Sequence, residues 1–115
     1  MRFSHNLRIK TAGEFDFVFE KPFRSANRCF TALARPNQRD YPRLGLIISK
    51  RCAKSAVQRN RLKRLIRESF RHSQRRLAGL DIIVIGKAQA VTKTNQELFT
   101  LLGRQWMELE RCKDC

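Results

Sequence analysis

The chain has 115 residues, 25 Lys+Arg against 10 Asp+Glu, a formal net charge of +15 and a pI of about 11.1. That length supports one domain with a real core and not two. The charge asks for an acidic partner, nucleic acid first. No apolar run approaches the ~18 residues needed to span a bilayer, and the N-terminus has no apolar signal segment. The expectation is a single domain, residues 1–115, working away from membranes in a reducing cytoplasm.

Three helix starts follow a capping-box pattern, in which the first side chain caps an N–H and the fourth returns the bond. Thr11-Ala-Gly-Glu14 opens a short helix to about Lys21, stopped before Pro22. It carries Phe15, Phe17 and Phe19; Phe15 and Phe19 stack one turn apart beside Val18, and Phe17 points nearly opposite. One side must face the core, so an aromatic is left toward the surface. It serves there as a stacking platform for unpaired bases, unless the short helix is buried all round. Residues 29–35 alternate weakly, as a half-buried strand does. A Pro/Asn/Asp-rich loop, 36–43, leads to a short buried strand at 44–49. Ser55-Ala-Val-Gln58 opens a second helix running to about Arg76 and ending before Gly79. Residues 81–86, Asp-Ile-Ile-Val-Ile-Gly, are the most apolar strand and therefore central. Thr94-Asn-Gln-Glu97 opens the last helix, with Leu98, Leu101, Leu102, Trp106 and Leu109 at helical period. Helix, strands, helix, strand, helix reads as an α+β sandwich. Strand, basic helix and strand form a β-α-β unit, a crossover that is right-handed in about 98% of cases.

The second helix is the most informative segment. Leu62, Leu65, Ile66 and Phe70 form one apolar stripe, and Asn60, Lys63, Arg64, Arg67 and Arg71 share the opposite face. Glu68 is its only acid. An ordinary solvated face mixes both signs to limit self-repulsion. From Lys50 to Arg76 there are eleven basic residues and one acid, which makes a localised footprint. Arginine dominates, and its planar fork suits phosphate and base contacts. Lys50, Arg51 and Lys54 carry the charge back to the helix N-terminus, whose N–H groups also favour phosphate. In Arg59-Asn60-Arg61 two forked donors flank an amide that both donates and accepts.

Little else suggests chemistry. The acids are dispersed, so no paired-carboxylate metal site is visible. His5 and His72 have no assignable partner and read as solvated or structural. Gly45, Gly79, Gly86 and Gly103 do not make a phosphate loop. Cys112-Lys-Asp-Cys115 has metal-ligand spacing, but Cys29 and Cys52 provide no second pair. The plainer reading is a frayed tail from about residue 111. An enzyme working through its own side chains is disfavoured.

The residues that carry the basic face also carry a resemblance. Ser49-Lys-Arg51, followed by Ala56-Val-Gln-Arg-Asn-Arg-Leu-Lys-Arg-Leu-Ile-Arg-Glu-Ser-Phe70, resembles the signature of the bacterial ribonuclease P protein component. The likeness extends to Glu14-Phe-Asp-Phe-Val-Phe19, Asn27-Arg-Cys-Phe30 and Asp81-Ile-Ile-Val-Ile85, and covers roughly residues 7 to 110. It implies an α-β-β-β-α-β-α sandwich with a left-handed β-α-β crossover. It further implies a protein that binds a catalytic RNA, the RNA and its bound Mg²⁺ cleaving precursor tRNA to make the mature 5′ end, with no obligatory protein partner. The protein would hold the 5′ leader between sheet and first helix, with Phe15 and Phe19 at leader-contacting positions. Arg59, Asn60, Arg61, Lys63, Arg64 and Arg67 match the basic motif near the catalytic RNA, and Lys50 and Arg51 match basic positions at the adjoining strand end. The chain departs from the pattern at Leu33, where the family often has an aromatic. A ribosomal RNA binder would share the charge and layout but not the Arg-Asn-Arg helix; a helix-turn-helix DNA binder would need a second helix beside the basic one.

Overall fold

In the computed structural model, which describes residues 7–114, the elements are α1 (Ala12–Glu20), β1 (Phe23–Ala26), β2 (Phe30–Pro36), β3 (Arg43–Ile47), α2 (Ala56–His72), β4 (Leu80–Gly86) and α3 (Asn95–Glu110). This is the α-β-β-β-α-β-α order, and β1 is the strand that periodicity left unplaced. The sheet runs β1-β2-β4-β3. β2 is antiparallel to both neighbours, while β3 and β4 pair in parallel, so the chain crosses over through α2. β4 is an interior strand, as its apolar sequence requires. His5 and Cys115 lie outside the described residues.

Strand alternation assigns the helices to faces. Phe30, Ala32, Ala34, Ile82 and Val84 pack with Leu62, Ile66 and Phe70 of α2 and Leu98, Leu102 and Trp106 of α3. The alternate set, Leu33 and Ile83 with Ile47 and Ile85 partly covered, packs with Phe15, Phe17 and Val18 of α1. Thus α1 lies on one face of the sheet, with α2 and α3 on the other. This corrects the half-buried reading of the 29–35 segment: residues 30–34 are buried on both sides, because helices cover both faces. The 44–49 segment is corrected as well, to a shorter edge strand at Arg43–Ile47. Its outer side is partly covered by the N-terminal segment, where Ile9 N–H donates to Leu44 O at 3.0 Å.

The Thr11 and Thr94 capping boxes form in full. At α2 only half forms: Ser55 Oγ accepts from Gln58 N at 3.3 Å, but Gln58 Oε1 accepts from Arg61 Nη1 at 3.1 Å instead of returning the bond. The helix also ends at His72 rather than about Arg76. Ser73 N–H donates to Phe70 O, and turns then carry Leu77 into the core and reach Gly79 at φ 87, a conformation that favours glycine. The frayed tail is corrected too. Arg111–Asp114 is a 3-10 helix, and Cys112 is 1% exposed because its side chain fills core space beside Ala34. Trp106 anchors α3, edge-on to Phe70 at 5.9 Å with its Nε1 donating to Ser69 Oγ at 2.8 Å. Gln105 Nε2 donates to Ser25 O and Phe30 O, tying α3 to the β1–β2 hairpin.

Candidate nucleic-acid interface

On α2 the apolar stripe turns inward and fixes which side chains face out. Leu62, Leu65, Ile66 and Phe70 are buried, while Asn60 and Arg64 are exposed and Lys63, Arg67 and Arg71 half-buried. Arg71 is ion-paired with Glu68, which reduces the net charge at the C-terminal end of the face. Arg67 is held below the usual arginine range by burial and by the nearby charge of Arg8. Arg8 thus joins the basic surface, brought there by its bridge to Leu44. Nothing in its local sequence signals this, since the bridge is a tertiary contact.

Arg59 and Arg61 flank the stripe and point differently. Arg59 Nη1 donates to Ala53 O and Lys54 O, both at 2.9 Å. Arg61 uses all three nitrogens: Nε to Asn95 Oδ1 at 3.0 Å, Nη2 to Lys93 O at 2.7 Å and Nη1 to Gln58. These two forks fasten the loop before α2 and the start of α3 to the helix. Asn60 between them faces out. The loop cations Lys50, Arg51 and Lys54 are exposed, and the first two lie in a turn separated from the end of β3 by two residues.

The aromatic set lies on the other face of the sheet, so the structure does not merge it with the outer face of α2. Phe19 is 43% exposed and is the aromatic that reaches solvent. Phe15 and Phe17 are half-buried against the sheet. Phe15 sits over Gly45, where a Cβ would come within 2.8 Å of its Cζ. Phe17 does not point to solvent opposite Phe15. The Arg35 guanidinium from β2 lies 3.9 Å from its ring centroid, and Arg35 Nη1 donates to Phe17 O at 2.7 Å. α1 has no basic residue in its last turn, so Arg35 provides the cation its C-terminus favours. Beyond α1 the same sheet face continues through Ile47 and Ile85, both partly open.

Glu14, Asp81 and Glu97 are engaged in holding the fold. Arg43 bonds Asp81 through Nε at 2.9 Å and Nη2 at 2.6 Å, and Glu14 through Nη1 at 2.6 Å. Asp81 is fully buried and also accepts from Asn37 Nδ2 at 2.8 Å. The N–H groups of Lys10 and Thr11, with Arg43 behind them, hold Glu14 down at about 2. Glu97 closes the α3 capping box. Among the described residues no group of three or more His, Cys, Asp or Glu side chains is placed to hold a metal ion. Nor, among them, is any helix long and apolar enough to cross a membrane.

The ribonuclease P family model matches residues 3–110. The chain is 43% identical over 112 residues to the ribonuclease P protein component of Pseudoalteromonas atlantica, covering 96% of this chain and 93% of that protein. It is 48% identical over 110 residues to that of Pseudomonas aeruginosa, covering 95% and 82%. Its fold is similar to the Staphylococcus aureus RNase P protein, with a TM-score of 0.82 and 32% identity over 92% of this chain and 96% of that one. The Thermotoga maritima RNase P protein superposes with a TM-score of 0.70 at 30% identity, covering 84% and 96%. The chain belongs to the bacterial ribonuclease P protein family, the protein component of the ribonucleoprotein endoribonuclease that processes the 5′ end of tRNA.

Proposed function

We propose that this chain acts as a single RNA-binding domain in the bacterial cytoplasm, gripping the catalytic ribonuclease P RNA with one face and the 5′ leader of precursor tRNA with the other. The observation that carries this reading is the one-signed outer face of α2, on which Asn60, Lys63, Arg64 and Arg67 stand opposite a fully buried apolar stripe. Lys50, Arg51 and Lys54 extend that face, Arg71 borders it and turns to RNA phosphate in competition with Glu68, and Arg59 and Arg61 fasten the neighbouring loop and α3 to it. Phosphate contacts of this kind supply affinity and register. For the leader, Phe19 offers an exposed ring, and Phe15 shapes the groove between α1 and the sheet. Stacking on such rings tolerates any base, which suits a leader of variable sequence. The left-handed sense of the β3–α2–β4 crossover belongs to the same reading.

Among the described residues the acids gather into no metal site, and Glu14, Glu68, Asp81 and Glu97 are engaged in helix caps or in pairs with arginines. We assign Mg²⁺ to the partner RNA, and the protein's part is to bind and position. Phe19→Ala tests the leader half in the reconstituted holoenzyme. Precursor tRNA binding should weaken by ~1–3 kcal/mol, the range for one stacked base, with mature tRNA binding unchanged. Equal losses for both, with the fold intact by circular dichroism, would refute leader stacking.

A further inference from the structure

On the α2–α3 side of the sheet a pocket of about 610 Å³ opens between the β1–β2 turn and the first two turns of α3. Both walls are rigid. On one side, Asn27 Oδ1 accepts from the N–H groups of Cys29 and Phe30 at 2.9 Å. Lys87 braces the same turn, its N–H donating to Cys29 O and its Nζ to Asn27 O at 2.7 Å. On the other side, the Thr94–Glu97 capping box and the grip of Arg61 on Lys93 O and Asn95 fix the start of α3. The walls include Arg28, Lys93, Leu101 and Thr100. Burial pushes the Cys29 thiol up, against the pull of Lys93, Arg28 and Lys87 and with the aid of Glu97. Of the charged residues lining the pocket, Arg28 and Lys93 outweigh Glu97, an anion-attracting balance around a partly apolar cavity.

We propose that this pocket takes one unpaired nucleotide of the catalytic RNA, its base over Leu101 and its phosphates at Arg28 and Lys93. The volume suits a single small ligand held by a few polar groups. Apolar floor, amide edges and cationic rim together match a nucleotide. The catalytic RNA is the source because Arg61 joins the pocket wall to α2, whereas the groove assigned to the leader lies across the sheet. The inference rests on the reading that α2 faces this RNA.

The test measures binding of the full chain to ribonuclease P RNA across a salt series. Lys93→Ala should weaken binding and lower the magnitude of the salt slope by up to about one, as loss of one phosphate contact does. Thr100→Trp, which fills the pocket without changing charge, should weaken binding about fivefold or more and leave the slope as it was. Wild-type binding by both variants would overturn the pocket. Arg64→Ala serves as the control: if it weakens binding while the pocket variants do not, the pocket fails and the α2 reading stands. A photocrosslinking residue in place of Gln96, placed in the holoenzyme with precursor tRNA, gives an answer that does not depend on affinity. Crosslinks to the catalytic RNA support the proposal, and crosslinks only to tRNA, or none, overturn it.

Discussion

Arg61 and Arg64 lie one helical turn apart, yet they do different work. Arg61 has all three guanidinium nitrogens bonded within the protein, whereas Arg64 projects from the exposed face. Arg64→Ala should leave urea unfolding unchanged and lower the magnitude of the salt slope for RNA binding by a fraction of a unit to about one. Arg61→Ala should instead destabilise the fold by about 1–3 kcal/mol, as loss of charge-assisted bonds at an element junction does. Equal stabilities for the two variants would contradict this division. Helical periodicity leaves Arg59 and Arg61 off the outward face that holds Arg64, but the Arg-Asn-Arg triplet groups them with Arg64 as RNA contacts, and the sequence does not foretell their internal bonds. What local sequence does not contain is their acceptors, carbonyls at Ala53, Lys54 and Lys93 that only the tertiary fold brings within reach. Glu14 gives a further test at this scale. Its pKa falls from 4.5 to about 2 in the fold, so its stabilising contribution is complete above 4.5 and is lost as pH falls toward 2. Glu14→Gln should flatten that part of the acid-unfolding profile, and an unchanged profile would place Glu14 outside the network.

At the scale of elements, helix starts were legible because a capping box is local chemistry. Thr94→Ala should cost about 1 kcal/mol, the usual loss for a cap, measured by denaturant unfolding. Helix ends and strand burial were less legible. The end of α2 is set by turns that deliver Leu77 to the core, and the double burial of β2 depends on α1 covering a second face. The contact of Phe15 with Gly45 shows how far such coupling reaches. A Cβ there would meet the ring at 2.8 and 2.9 Å, so Gly45→Ala should displace Phe15 at a cost of about 1–3 kcal/mol. It should also reduce the holoenzyme's preference for precursor over mature tRNA. Retained preference would separate α1 from leader binding.

For the whole molecule, two design elements stand apart. Glu14, Asp81 and Glu97 are tied into caps and ion pairs, with Asp81 buried at the junction of α1, β3 and β4 through Arg43. The surplus of cations is left outside, concentrated between Lys50 and Arg76. Of this network the sequence shows Glu14, through its capping box, and Asp81, a charge opening the most apolar strand, but not Arg43, which joins them only in the fold. The distribution suits a protein that positions RNA and leaves the reaction to its partner. The most direct measurement is cleavage of precursor tRNA at low Mg²⁺ by the protein alone, by ribonuclease P RNA alone, and by the two together. The protein alone should not cleave, the RNA alone should cleave weakly, and mixing the two should restore strong cleavage. Cleavage by the protein alone, or an RNA activity that the protein leaves unchanged, would contradict that division between protein and RNA.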